Sequence, residues 1–229
     1  MRDCASTLTL NPHNIKAFYR AALACLALDR LSEARDAVRG GLDIEPSNSS
    51  LLALRTRIAE RDALIVKKDA ERKAREEKNA AEVSALKEAF RIRNIVTRMT
   101  ASPPDLEDAG PRLEESLDAT STLSLPVLVL YPLASQSDLI KAWDETSTIG
   151  SHLEYLLPAP WDATYTVDSV ECYVGTKEGG LAKAGKKVAL KSLLGRADVV
   201  DGLVSLYIVR KSEAEKWIAE WKVTRGVRR

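Results

Sequence analysis

Lys16 and Arg20 are the residues of this 229-residue chain whose types and spacing best suit a chemical task. Four apart, they project from one face of a helix, where an ammonium and a guanidinium can hold a carboxylate between them. Little else offers chemistry. The two histidines, His13 beside a turn proline and His152 in a predicted short helix, have no Cys or His partner at metal-ligand spacing. Gly179-Gly180 and Lys183-Ala184-Gly185-Lys186-Lys187 fall short of a phosphate loop, because Lys187 stands where the hydroxyl residue belongs. A charged hairpin loop is predicted there instead. No nucleophile, base and orienting group come together, so no catalytic residue, metal or cofactor is expected.

The pair lies in a segment that repeats. Asn11-Pro12-x-Asn14 returns as Glu45-Pro46-x-Asn48, and Leu8 and Leu10 return as Leu42 and Ile44, a period of 34 residues that belongs to tetratricopeptide arrays. Phe18, Ala21, Ala22 and Cys25 fall on the inner side of a first helix, and Ala34, Val38 and Gly41 on that of a second. Asp29-Arg30 is placed at the turn between them, and Pro46 stops the second helix. Asn14 reads as a cap rather than a ligand. Residues 1–10 read as the last turns of a preceding second helix, so the array is expected to begin in mid-repeat, with further units or another chain completing the stack.

Composition narrows the classes. Hydrophobic residues at 45% allow an ordinary core, and 34 basic against 33 acidic residues leave a net charge of +1. The whole chain therefore makes no electrostatic case for nucleic acid or membrane. Cys4, Cys25 and Cys172 are an odd number, widely spaced among apolar neighbours, which predicts buried reduced thiols in a cytoplasmic or nuclear protein. No apolar run of about 18 residues is present.

In chain order, Ser49 or Ser50 is expected to cap a helix from Leu51 to Thr100. Leu51, Leu54, Ile58, Ala59 and Leu64 would cover the repeat. A solvated charged stretch follows, and Leu86, Ala89, Phe90, Ile92, Ile95 and Met99 would then restore an apolar face. Asp105 to Ser124 is expected to be a mobile surface loop. LPVLVLYP, Leu125 to Pro132, reads as a buried strand, Ser137 to Trp143 and His152 to Leu157 as helices, and Thr164 to Thr176 and Gly202 to Arg210 as strands. Val188 to Leu194 suits a strand and short helix, and Ser212 to Lys222 a closing helix that packs on Trp217, Ile218 and Trp221. Trp143 and Trp161 are expected to supply core mass. The fold class is α+β: a truncated α-helical tetratricopeptide repeat, a long charged helix, then a small mainly antiparallel sheet with packed helices. The divisions fall at 1–66 for the repeat with its capping helix, 67–85 for the charged linker and 86–229 for the α/β domain.

The K-A-F-Y-R run from Lys16, the charged helix, LPVLVLYP, SHLEYLLPAPWD and the Val199 to Val209 region together resemble the fungal Cns-type co-chaperones, relatives of animal tetratricopeptide repeat protein four. The second half looks like their wheel domain, and the resemblance covers nearly the whole chain. It implies a co-chaperone adaptor, not an enzyme, that binds the acidic carboxyl terminus of heat shock protein 90, or that of heat shock protein 70, and assists a client protein in folding. In chaperone-binding arrays a Lys-x-x-x-Arg pair on the third repeat forms part of a two-carboxylate clamp, so the resemblance makes Lys16 and Arg20 peptide-carboxylate ligands. A general interaction scaffold is the other function that the repeat itself allows.

Overall fold

The computed structural model describes residues 2–106 and 108–226, which fall into two compact units, 1–78 and 79–229. Four helices come first: α1 (Arg2–Leu10), α2 (Ile15–Ala27), α3 (Leu31–Ile44) and α4 (Ser49–Ile92). In the first unit α2 buries Ala17, Ala22 and Cys25, and α3 buries Leu31, Ala34, Val38 and Gly41. The small residues are there for contact. A Cβ on Gly41 would lie 2.7 Å from Leu51 Cδ1, so α4 could not approach α3 as it does.

The repeat period is carried by its ends. Asn14 Oδ1 accepts from the Ala17 amide and Asn48 Oδ1 from the Leu51 amide, each at 3.1 Å. Asn48, not Ser49 or Ser50, therefore caps α4. Leu52 N already bonds Asn48 O, which places both serines inside the first turn. At the other end of α2, Asp29 adopts a left-handed φ of 54° while Arg30 N bonds Cys25 O and Asp29 N bonds Leu26 O. This is a Schellman stop, on a residue type that tolerates that conformation. Leu51, Leu54 and Ile58 close the core, whereas Ala59 and Leu64 stay exposed and Ile65 packs in their place. The inward stripe of α4 passes from Ile58 to Ile65, two turns on, and leaves those two outside it.

In the second unit α4 stops at Ile92, short of the expected Thr100. Asn94 has φ 54°, Ile95 N bonds Phe90 O and Asn94 N bonds Arg91 O, the same stop as in α2. Ile92 and Met99 are consequently exposed, and only Ala89 and Ile95 of the predicted face are fully buried. The described residues then form an eight-stranded sheet from β1 (Thr97–Arg98), β2 (Arg112–Leu113), β3 (Leu123–Tyr131), β4 (Gln136–Asp144), β5 (Val170–Gly175), β6 (Leu181–Ala184), β7 (Val199–Val200) and β8 (Leu203–Arg210). Strand β3 lies between β4, antiparallel, and β8, parallel. Strand β8 continues antiparallel to β5, and β5 antiparallel to β6. The strand β3 buries Leu123, Leu125, Val127, Val129 and Tyr131 on one face. Pro126, which cannot donate to a ladder, sits where the register to β4 slips from Leu125↔Trp143 to Val127↔Ile140.

Two expectations fail here. The segment 137–143, expected as a helix, is the body of β4. Ser135, at φ 53°, closes a four-residue loop that folds the chain back against β3, whose ladder groups need a partner. The segment 105–124 is not a free loop throughout, because Arg112 and Leu113 pair with Ser124 and Leu123, and Asp118 accepts from both Thr120 N and Oγ1. Helices α5 (Ile149–Leu156), α6 (Lys191–Leu194) and α7 (Ala214–Gly226) complete the unit. Helix α7 places Trp217 on Tyr173 and Tyr207 of the sheet, with Ile218 and Trp221 beside it.

Candidate peptide-carboxylate site

Lys16 stands in the first turn of α2 and Arg20 one turn on. Both are exposed, and neither meets a hydrogen-bond or ion-pair partner among the described residues. They border a cleft of about 210 Å³ between α1 and α2 with Cys4, Thr7, Asn14 and Ala17. Helix α2 carries no acid of its own, and its amide end adds positive potential beside Lys16. Two cations one turn apart, with no acid between them, leave their charge untaken by any internal pair among the described residues. The Asn14 side chain is taken up by its capping bond, as the sequence implies.

The other candidates resolve into structure. His13 is exposed, and its amide bonds Asn11 Oδ1. His152 lies flat on Trp143, ring centres 3.7 Å apart. Trp143 is fully buried, while Trp161 is 37% exposed and meets Tyr131 and Tyr165 edge-on. Gly179-Gly180 forms the β5–β6 hairpin, Thr176 N bonding Gly180 O. Lys183 is paired with Glu171 at 2.6 Å, and Lys186 donates to the Val167 carbonyl. Burial pushes the Cys172 thiol up to about 12 and raises that of Cys25, which keeps both protonated. All three cysteines are free, with Cys4 half-buried rather than buried. Among the described residues no three His, Cys, Asp or Glu side chains gather, and no helix is long and apolar enough to cross a membrane.

Two features have no counterpart in the sequence analysis. One is a buried Arg93–Glu145 pair. The other is a cleft of about 450 Å³ between α2 and α4, lined by Leu23, Leu26, Ala27, Arg57, Arg61 and Leu64 among others. The only sign of the second in the sequence was Leu23, a leucine off the packing positions of the first helix.

A tetratricopeptide-type helical unit, a charged helix and a curled mixed sheet, in that order, define a repeat protein with an appended α/β unit. Residues 115–221 match the family described as the Cns1/TTC4 Wheel domain. The solved structure of the Hsp90 co-chaperone Cns1 from Saccharomyces cerevisiae (delta69) superposes with a TM-score of 0.85 at 30% identity, over 96% of this chain and 75% of that one. The chain belongs to the Cns1/TTC4 family. It is 36% identical to the Hsp70/Hsp90 co-chaperone cns1 of Schizosaccharomyces pombe over 97% of its own length, and 32% identical to human tetratricopeptide repeat protein 4 over 76%. It spans 64% of the first relative and half of the second.

Proposed function

We propose that the chain is a non-enzymatic co-chaperone adaptor of the cytoplasm. Its repeat holds the acidic carboxyl terminus of heat shock protein 90, and that of heat shock protein 70, through Lys16 and Arg20, and a client protein is handed on for folding. The names of the fungal relatives support the chaperone partners. The observation that carries the site is the pair itself: two exposed cations one turn apart on a helix without acids, with no partner among the described residues. In this reading residues 1–66 bind the tail, 67–85 are a solvated linker and 86–229 act by surface contact.

The test is calorimetry of the chain with an acidic chaperone-tail peptide. Binding should weaken with salt and be lost on Lys16→Ala, on Arg20→Ala, or when the peptide's terminal carboxylate is amidated. Binding that survives all three changes would move the function to a general scaffold. Limited proteolysis between Lys67 and Lys87 should leave a stable carboxyl-terminal piece.

A further inference from the structure

Residues 67–78 of α4 are all exposed, and at about 100° per residue their charges separate. One half of the circumference carries Lys67, Lys68, Arg72, Arg75 and Lys78 with a single acid, Glu71. The other carries Asp69, Glu76 and Glu77 with a single cation, Lys73. A helix held in water by pairs three and four residues apart has no need of this separation, because signs alternating all round would serve equally. Arg72 is paired with Asp69 at 3.0 Å. Arg72 also reaches Glu76 at 4.0 Å and Lys67 reaches Glu71 at 3.9 Å, whereas Lys68 and Arg75 meet no carboxylate among the described residues, so at those two positions the cationic half is not neutralised from within.

Leu64 stands one turn before Lys68 on the same side of the helix and is 52% exposed. With Leu23, Leu26 and Ala27 of α2 it lines the larger cleft, about 450 Å³, whose rim holds Arg57, Glu60, Asp29 and Arg61. Arg61 is engaged by Asp29 through two 2.8 Å bonds, and Arg57 balances Glu60, so the cleft is close to neutral while the helix beyond it is positive.

We propose that this cleft and the cationic half of α4 form one binding surface for an internal acidic segment of a partner protein. An apolar side chain of the segment seats against Leu23, Leu26 and Leu64, and the carboxylates that follow it lie along Lys68, Arg72 and Arg75. Seven residues of helix, about 10 Å, separate Lys68 from Arg75, a span that about three extended peptide residues cover. Charge complementarity selects an acidic occupant. A nucleic acid would meet the same cations, but its bases need aromatic faces on which to stack, and no aromatic residue lines the cleft or stands between residues 57 and 78. The surface requires no free chain end, which separates it from the site at Lys16 and Arg20.

The test uses the full chain and a fluorescein-labelled peptide of one leucine followed by glutamates, amidated at its carboxyl terminus so that no terminal carboxylate is offered. Fluorescence anisotropy should show binding that weakens with salt. The triple variant Lys68→Gln/Arg72→Gln/Arg75→Gln, its helix checked by circular dichroism, should weaken it roughly tenfold or more. Leu64→Ser, and separately a peptide with its leucine changed to serine, should weaken it several-fold. The proposal is overturned if the amidated peptide does not bind, if the triple variant binds it as tightly as the parent does, or if a single-stranded RNA of equal length binds the parent more tightly.

Discussion

Arg93 and Glu145 meet 2.6 Å apart with side chains 14% and 6% exposed, joining the end of α4 to the turn after β4. The guanidinium is fully used: Nε and Nη2 bond the Glu145 carboxylate, Nη1 the Ala89 and Ala119 carbonyls, and Nη2 the Ser121 carbonyl. Glu145 Oε1 also accepts from Leu123 N at the start of β3. Three stretches of the chain, 89–93, 119–123 and the turn at 145, are tied at one point. Forming a buried pair is close to neutral against its desolvation, but breaking one strands a charge. Arg93→Met or Glu145→Leu alone should therefore lose about 3–5 kcal/mol in urea unfolding. The double change should lose less than the sum of the two, because neither charge is then left unpaired.

That pair also marks where the sequence stops being legible. Residues 93 and 145 lie far apart in sequence, and nothing local distinguishes Arg93 from the exposed cations of α4 or Glu145 from a turn acid. The repeat was readable because its signals are local: a 34-residue period, small residues at packing positions and the capping Asn14. The strand β3 was readable because a run such as LPVLVLY between prolines has few other uses. Strand β4 was not, since a short stretch with Leu139, Ile140 and Trp143 suits either period and only pairing with β3 decides it. The end of α4 turned on Asn94, a single residue able to take φ 54°. Lys16 and Arg20 stood out by spacing alone; the α2–α4 cleft did not, because it exists only once two helices are packed.

The period itself can be tested at the caps. Asn48→Ala should cost about 1 kcal/mol, in the usual range for a lost cap of roughly 0.5–2, while Asn48→Asp should keep most of the stability. Ser49→Ala and Ser50→Ala, at exposed first-turn positions, should each change stability by no more than about 0.5 kcal/mol. Thermal unfolding of the four variants separates this assignment from a serine cap.

Stability should depend on pH through His152. Its burial against Trp143 holds the imidazole below its ordinary value of 6.5, with Asp144 pulling weakly the other way. The folded chain therefore takes up the proton less readily than the unfolded one. The stability that this contributes is complete above pH 6.5 and falls as the pH drops from there toward the folded pKa. The Asp144 and Asp162 carboxyls are held below their usual range, so they remain ionised just below pH 6.5 and add no slope there. His152→Phe should flatten the fall in melting temperature between pH 7 and pH 5.5, measured beside the parent. An equal slope in the two proteins would show that His152 titrates normally.

Trp161 and Trp143 separate two uses of the same side chain. Trp143 is 0% exposed, so Trp143→Ala opens a cavity and should cost about 3–5 kcal/mol. Trp161 is 37% exposed and is held by edge contacts at 5.1 Å to Tyr131 and 4.9 Å to Tyr165. Each such contact contributes about 0.5–1.5 kcal/mol, so Trp161→Ala should lose about 1–3 kcal/mol and leave the chain folded at room temperature. Arg210 lies over the Tyr165 ring at 5.3 Å and reaches Asp162 and Glu213, so the cluster keeps its outer wall when the indole is removed. Urea unfolding of the two variants should rank them in that order. If Trp161→Ala leaves stability within about 0.5 kcal/mol of the parent but abolishes capture of a client protein, the exposed part of the ring is a contact surface and the cluster beneath it stands without it.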